Sequence, residues 1–502
     1  MNWLSQHGQH LTSLHMSGCL PLRQLPCPNL LELKLDGWDE FGVQLGPAAD
    51  GSPGVIHSCT KLTRLEVSCN ISDAPEGVVL DGNLSSLVHL QRLKVAPAGY
   101  DCWDEGYSVG GFSGATLPRL QHLTYLKVYG LSAENFGQLD RLSSLQKLHL
   151  YAADDTAVGL GSVPGLVFPA SLKTLLLLHP VVVEAGLLSC VPEGLADLVI
   201  ECDVVGPSEG PGSLLSSIAH LVHLTELFFV PTSVSWPPAG PAYSALAASS
   251  NLVQLRFVAP NLPDGIWSFV FPPTRSMPHL TRLRLGVYDV DFGHTESMKW
   301  AAGDLASLVR CCPGLCDVNC LLLQPGLDLS ELRKLTALTG LCVDFDSSDS
   351  RTLDLGMQGL AALTQLESLD VLIRHGFGGG HAIKVASLLP LTSLRALRYL
   401  KVEPTHMGAD EAKCSSNKWI NTQPVSVLLH CRIRCWCAPE GDQKHYKCRS
   451  FRESLAAQRL LVSLRTVQWC LLTVASCTTL HTGKCGFVHV KGVLLAKGHR
   501  WQ

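Results

Sequence analysis

The sequence predicts an α/β solenoid of about fifteen repeats. The repeats would form a curved horseshoe with a parallel sheet on its concave face, followed by an irregular C-terminal tail. Three observations carry this expectation. A six-residue apolar pattern recurs from residue 11 to residue 402. A further leucine often stands three residues before it. Charge and cysteine usage change after residue 403.

The pattern is L-x-x-L-x-[L/V/F]. It stands as Leu62, Leu65, Val67 in KLTRLEV, as Leu90, Leu93, Val95 in HLQRLKV, and as Leu123, Leu126, Val128 in HLTYLKV. Later copies include Leu145, Leu148, Leu150, then Leu224, Leu227, Phe229, then Leu280, Leu283, Leu285, and finally Leu397, Leu400, Val402. Fifteen copies begin at leucines 11, 30, 62, 90, 123, 145, 172, 195, 224, 252, 280, 315, 338, 366 and 397, a mean step of about 28 residues. The last two apolar positions are two apart, so they point to one face of a short strand. The preceding leucine (Leu87, Leu120, Leu142, Leu221, Leu335, Leu363, Leu394) sits at the i, i+3 spacing of a helical turn. One repeat cannot bury its leucines alone, so stacking on the next repeat is required, with strands in parallel.

This pattern resembles the leucine-rich-repeat superfamily over residues 11–403, and within it the irregular intracellular members of the F-box-associated and axonemal kinds. The family places Asn or Cys three positions after the last strand leucine, to bond the turning backbone. Asn70 fits, whereas Ala98 and Ala153 stand at that place in other copies. Looser turns are therefore expected. The resemblance implies a non-enzymatic protein-interaction module. Its alternatives are a substrate-recognition subunit of an F-box-type ubiquitin ligase and a structural component of the ciliary axoneme. An F-box has no room before residue 11, and Met1–His10 offers a poor cap for the solenoid unless the chain is a fragment.

Residues 1–403 hold 25 Lys and Arg against 38 Asp and Glu, and residues 404–502 hold 14 against 5. The acidic body argues against nucleic acid, which needs clustered cations. Twelve of the 20 cysteines lie in the body, mostly at or beside apolar repeat positions, where Cys serves as a small hydrophobe in a reducing compartment. No secretory signal is visible in MNWLSQHGQH, and charged or breaking residues interrupt the most apolar window, Leu172–Val191. That window reads as a buried strand followed by a loop. The expected location is the cytoplasm, with the cytoskeleton or the ciliary axoneme implied by the resemblance. The expected state is a monomer that does not enter a membrane. The tail, 404–502, is basic, rich in cysteine and without a period, and reads as disordered or poorly folded rather than as a domain.

Insertions rich in Gly, Pro and Ser fall at 97–117, 231–245 and 263–278, with Trp and Tyr in each or near it. They are read as surface loops suited to contacts, or as loops whose aromatics fold back on the solenoid. The chemical motifs are weak. Gly106-Tyr107-Ser108-Val109-Gly110 lacks the strand and helix of a nucleophile elbow. His375–His381 reads as a glycine-rich turn. Cys311, Cys312, Cys316 and Cys320 read as packing residues, and the tail's Cys435, Cys437, His445, Cys448 and Cys477, His481, Cys485 match no common zinc spacing. No catalytic residue, metal or cofactor is assigned.

The residues between the strand leucines would line the concave face. Early strands supply Arg92, Lys94, Tyr125, Lys127, Tyr129, Lys147, His149 and Tyr151. The middle supplies Leu176, Leu178, Val199, Phe228 and Val230, followed by Arg256, Arg282 and Arg284. Late strands supply Asp317, Asp344 and Asp370. Tyr and Arg are the types most often found at energetic centres of interfaces. The apolar stretch needs either a partner or a covering loop. A protein partner is therefore expected here, held by Arg92, Lys94, Tyr125, Lys127, Tyr129, Lys147, His149, Tyr151, Phe228, Arg256, Arg282 and Arg284.

Overall fold

Every one of the fifteen repeat copies becomes a strand, and each strand begins two residues after the first leucine of its copy. A computed structural model of the chain describes residues 2–17, 25–38, 55–69, 84–97, 117–129, 137–151, 166–205, 214–230, 240–258, 266–285, 300, 303–323, 327, 329–346, 350–374, 385–404 and 426–429. It divides into two compact units, Met1–Leu280 with Val287–Glu296, and Thr281–Gly286 with Ser297–Gln502.

The first unit holds β1 (Ser13–Ser17), β2 (Glu32–Trp38), β3 (Arg64–Cys69), β4 (Arg92–Pro97), β5 (Tyr125–Tyr129), β6 (Lys147–Tyr151), β7 (Thr174–Glu184), β8 (Asp197–Val205), β9 (Glu226–Phe229) and β10 (Gln254–Phe257). Each pairs in parallel with the next in sequence order. The second unit holds β11 (Arg282–Leu285), β12 (Asp317–Leu323), β13 (Gly340–Asp346), β14 (Ser368–Arg374), β15 (Tyr399–Pro404) and β16 (Ser426–Leu429), again parallel and in order. The sixteenth strand comes from the tail and has no repeat copy. It starts two residues after Pro424, where the pattern has leucine. The rest of 405–502 lies outside the described residues.

The leucines form the core as the alternation requires. Leu62, Leu65, Val67, Leu90, Leu93, Val95, Leu123, Leu126 and Val128 are all fully buried. Burying each such side chain is worth about 1.5–3 kcal/mol. The helical turn before the strand is in most repeats a 3-10 turn rather than an α-turn. Leu87 N–H bonds to the Leu84 carbonyl and Leu90 N–H to the Leu87 carbonyl, and Leu117, Leu120 and Leu123 repeat the arrangement. A 3-10 helix turns once in three residues, so a leucine at every third position keeps one face. Leu84, Leu87 and Leu90 are buried together for that reason.

The entry to each strand shows what holds neighbouring repeats in register. One carbonyl accepts two N–H groups from the next repeat. Leu31 takes those of Thr63 and Arg64, Thr63 takes those of Gln91 and Arg92, and Gln91 takes those of Thr124 and Tyr125. The second unit repeats this at Thr281, Cys316, Thr339 and Glu367. Threonine reinforces the spine: Thr63 Oγ1 donates to the Leu31 carbonyl (2.9 Å), Thr124 Oγ1 to that of Gln91 (3.0 Å) and Thr225 Oγ1 to that of Ala196 (3.2 Å). A backbone carbonyl with two lone pairs can accept two N–H groups, and here the following repeat supplies them. Asn70, Ala98 and Ala153, on which the looser-turn expectation rested, lie outside the described residues.

One expectation changes, and one pair of readings is decided in part. The window read as a strand and then a loop holds an eleven-residue strand, β7, whose register with β8 shifts between Leu178 and Val182, and then a 3-10 helix, Ala185–Cys190. Pro180 has no N–H to give to the ladder, and an irregularity there lets the strand continue. Of the two readings of the second and third insertions, Tyr243 and Trp267 follow the one in which aromatics fold back on the solenoid, whereas Phe269 is exposed and Trp236 lies outside the described residues. Tyr243 and Trp267 are each 1% exposed, and they pack edge-on to Phe257 at 6.1 and 6.4 Å, with Phe271 stacked on Trp267. They extend the core on the side of the sheet where Phe257 lies. The first insertion falls outside the described residues except for Pro97, the end of β4, and Leu117. Among the described residues no helix is long and apolar enough to cross a membrane.

Candidate functional site

The site is built from the residues that alternate with the core leucines. Strand register brings them into rows that cross the first unit's sheet. One row runs Arg64, Arg92, Tyr125, Lys147, Thr174, Asp197, Glu226, Gln254. The next runs Glu66, Lys94, Lys127, His149, Leu176, Val199, Phe228, Arg256. Adjacent strands stand about 4.8 Å apart, so side chains within a row are in contact range.

Over β3–β6 the face is cationic and aromatic. Arg64 donates to Glu66 Oε1 through Nε (3.0 Å) and Nη2 (2.8 Å), and Arg92 Nε donates to the same oxygen at 3.1 Å. Glu66 is only 5% exposed. Burial works against its charged form, but Arg64, then Arg92 and Lys94, outweigh it and hold the carboxyl below the usual carboxylate range. The Arg92 guanidinium also lies 4.0 Å from the centre of the Tyr125 ring, and the Lys127 ammonium 4.8 Å from that of Tyr151. Both are cation–π distances. Tyr125 meets His149 edge-on at 5.1 Å.

This cluster is short of negative charge. Among the described residues no carboxylate lies in ion-pair range of Lys94, Lys127 or Lys147. Burial, and then Lys94, draws the Lys127 ammonium below the ordinary lysine range. Burial, and then Lys127, Lys147 and Arg92, push His149 down to about 4. His149 is therefore a neutral ring among cations at neutral pH.

Over β7–β9 the second row turns apolar, while the first carries Thr174, Asp197 and Glu226. Leu176, Val199, Phe228 and Val230 are half-buried, neither lost in the core nor fully open. Beyond them Arg256 Nη1 pairs with Glu201 Oε1 at 3.3 Å.

The structure thus brings together Arg92, Lys94, Tyr125, Lys127, Lys147 and His149 on adjacent strands, with Phe228 and Arg256 in register on β9 and β10. Tyr129 belongs to β5, and its side chain is outside the described residues. Arg282 and Arg284 are exposed on β11 of the second unit, opposite Asp317 and Asn319 of β12. Three residues read as open are buried. Tyr151 is 7% exposed and Leu178 9%, since they are register partners and Lys127 covers the tyrosine ring. Asp344 is 3% exposed within the second unit. Arg64, Glu66 and Glu201 belong to the site and went unnoticed; the first two hold the x positions of KLTRLEV and were legible there.

Cys311 and Cys312 are buried and Cys316 half-buried, as packing residues are. Burial pushes the thiol of Cys59, likewise a packing residue, up to about 11. The motifs at 106–110 and 375–381 and the tail's Cys and His sets lie outside the described residues.

No family model and no curated protein matches the chain. Solved structures similar to it include an internalin, InlF, from Listeria monocytogenes (15% identity, 79% of this chain and 88% of that one, TM-score 0.39). The functional domain of InlJ from the same organism is another (11%, 80% and 75%, TM-score 0.35). A third is the leucine-rich-repeat-containing protein LegL7 from Legionella pneumophila (16%, 60% and 87%, TM-score 0.27). What identifies the fold is internal to the chain: one strand per L-x-x-L-x-L copy, parallel pairing in sequence order and a leucine core shared between neighbours. The chain is a leucine-rich-repeat solenoid.

Proposed function

We propose that the chain is a non-enzymatic interaction module that holds a partner protein on the open face of its first unit's sheet. The observation that carries this reading is the continuity of the face across β4–β9. Cations and aromatic rings on three strands adjoin half-buried apolar side chains on the next three, in unbroken register. Tyr and Arg in such a setting are the residue types that dominate interface energetics. An apolar strip rimmed by polar side chains is a feature of interaction sites. The rigid ladder beneath keeps the side chains in place before a partner arrives, which lowers the cost of binding.

The test is affinity capture with the full chain as bait, against a Tyr125→Ala, Lys127→Ala, Phe228→Ala variant whose circular dichroism matches the parent. The reading expects a specific protein to be retained by the parent and lost by the variant. Equal retention by both would place the interaction elsewhere on the molecule.

A further inference from the structure

We propose that the open face of β4–β9 is matched to an acidic–apolar peptide segment of a partner protein, laid across the strands with carboxylates over Lys94, Lys127 and Lys147 and large apolar side chains over Leu176 and Phe228. This rests on the interaction-module reading and names the chemistry of its partner.

Charge complementarity is the first argument. The chain up to residue 403 has more carboxylates than cations, 38 against 25, yet the paired rows of β3–β6 hold five Lys or Arg and one carboxylate, Glu66. Glu66 is already engaged by two arginines. Among the described residues Lys94, Lys127 and Lys147 have no carboxylate in ion-pair range; Lys94 disfavours charge on Lys127, and Lys127 and Lys147 disfavour it on His149. An arriving carboxylate relieves that repulsion and gains charge-assisted hydrogen bonds.

The second argument is the order of the row. Cationic strands β4–β6 are followed by β7–β9, whose second row is apolar (Leu176, Val199, Phe228) and whose first row carries Asp197 and Glu226, and beyond them lies the pair Glu201–Arg256. Asp197 and Glu226 disfavour a carboxylate at that end, so the face has a polarity. Five strand spacings of about 4.8 Å make about 24 Å from β4 to β9, which an extended segment covers with about seven residues. Nucleic acid would satisfy the cations and leave the apolar half unfilled.

The test uses the full chain and fluorescein-labelled peptides read by anisotropy. The main probe has three glutamates, a glycine, then leucine, phenylalanine and leucine. One comparison peptide has glutamine for each glutamate, and another has lysine. The glutamate peptide is expected to bind at least tenfold tighter than the glutamine peptide, and more weakly as salt rises. The Lys127→Glu, Lys147→Glu variant is expected to lose at least tenfold for the glutamate peptide and to gain affinity for the lysine peptide, which shows that the variant is folded. Phe228→Ala should weaken binding several-fold with the salt dependence kept. Equal affinity for the glutamate and glutamine peptides, or binding of neither, overturns the proposal, as does tenfold tighter binding of a thymidine oligonucleotide. A dimer of this chain that Phe228→Ala dissolves would also overturn it, since a second copy would then own the strip. None of these results touches the interaction-module reading, which the capture experiment decides separately.

Discussion

Arg92 links two parts of the face: its Nε bonds to Glu66 on β3 at 3.1 Å while its guanidinium lies 4.0 Å from the centre of the Tyr125 ring on β5. One side chain thereby ties three strands together on the solvent side of the sheet. With the arginine side chain 40% exposed, such a cation–π contact contributes about 0.5–1 kcal/mol. Tyr125→Leu should lose about that much stability in urea unfolding. Tyr125→Phe, which keeps the ring, should lose almost none. Equal losses would assign the tyrosine's contribution to its hydroxyl instead.

Glu66 is the counter-ion of the face. Glu66→Gln leaves Arg64 and Arg92 facing each other across a buried amide, and should cost about 1.5–3 kcal/mol, the range for hydrogen bonds to charged groups. Double-mutant cycles should give a larger coupling to Arg64, which makes two bonds, than to Arg92, which makes one. The folded-state pKa of Glu66 is depressed, so its contribution is present above the ordinary carboxylate range and lost as pH falls through the folded value.

His149 adds a dependence at higher pH. It faces Tyr125 and Lys127 on β5, Lys147 and Tyr151 on its own strand, Leu176 on β7, and Arg92 beyond. Its folded pKa of about 4 lies below the ordinary value of 6.5, so the unfolded chain takes up the proton first. Stability from the neutral ring is therefore complete above pH 6.5 and lost as pH falls toward 4. The parent's melting temperature should fall more steeply from pH 7 to pH 5 than that of His149→Gln. Parallel curves would show that His149 does not titrate in this window.

Trp267 tests the packing of an insertion. It is 1% exposed against Phe257 and Phe271, whereas Phe269 two residues on is 39% exposed. Trp267→Ala should cost about 3–5 kcal/mol, and Phe269→Ser should stay within about 0.5 kcal/mol of the parent. Chemical denaturation monitored by far-ultraviolet circular dichroism gives both values.

The strands and core were legible in the sequence because each repeat states its own pattern. An L-x-x-L-x-L copy fixes which side chains face inward, and fifteen copies place fifteen strands. Depth was less legible than direction. Alternation puts Tyr151, Leu178 and Asp344 on the open side, but whether a side chain there meets solvent depends on its cross-strand neighbours. The lysine over Tyr151 is such a neighbour. The carbonyl spine is made by backbone groups, and its side-chain mark is a threonine directly after the first leucine of a copy, as at Thr63, Thr124, Thr225 and Thr339. The sixteenth strand escaped notice because Pro424 stands where the pattern asks for leucine. The pairing of Glu201 with Arg256 joins residues 55 apart that no local motif connects.

The central claim is that partners bind on the open face of β4–β9. It is tested most directly by photo-crosslinking from single positions. A benzophenone side chain placed at Leu176, midway along the face, is compared with one at Val88, which is 44% exposed in the turn before β4. The account predicts a covalent adduct with the captured partner from position 176 and none from position 88. Adducts from position 88 alone, or equally from both, would contradict it.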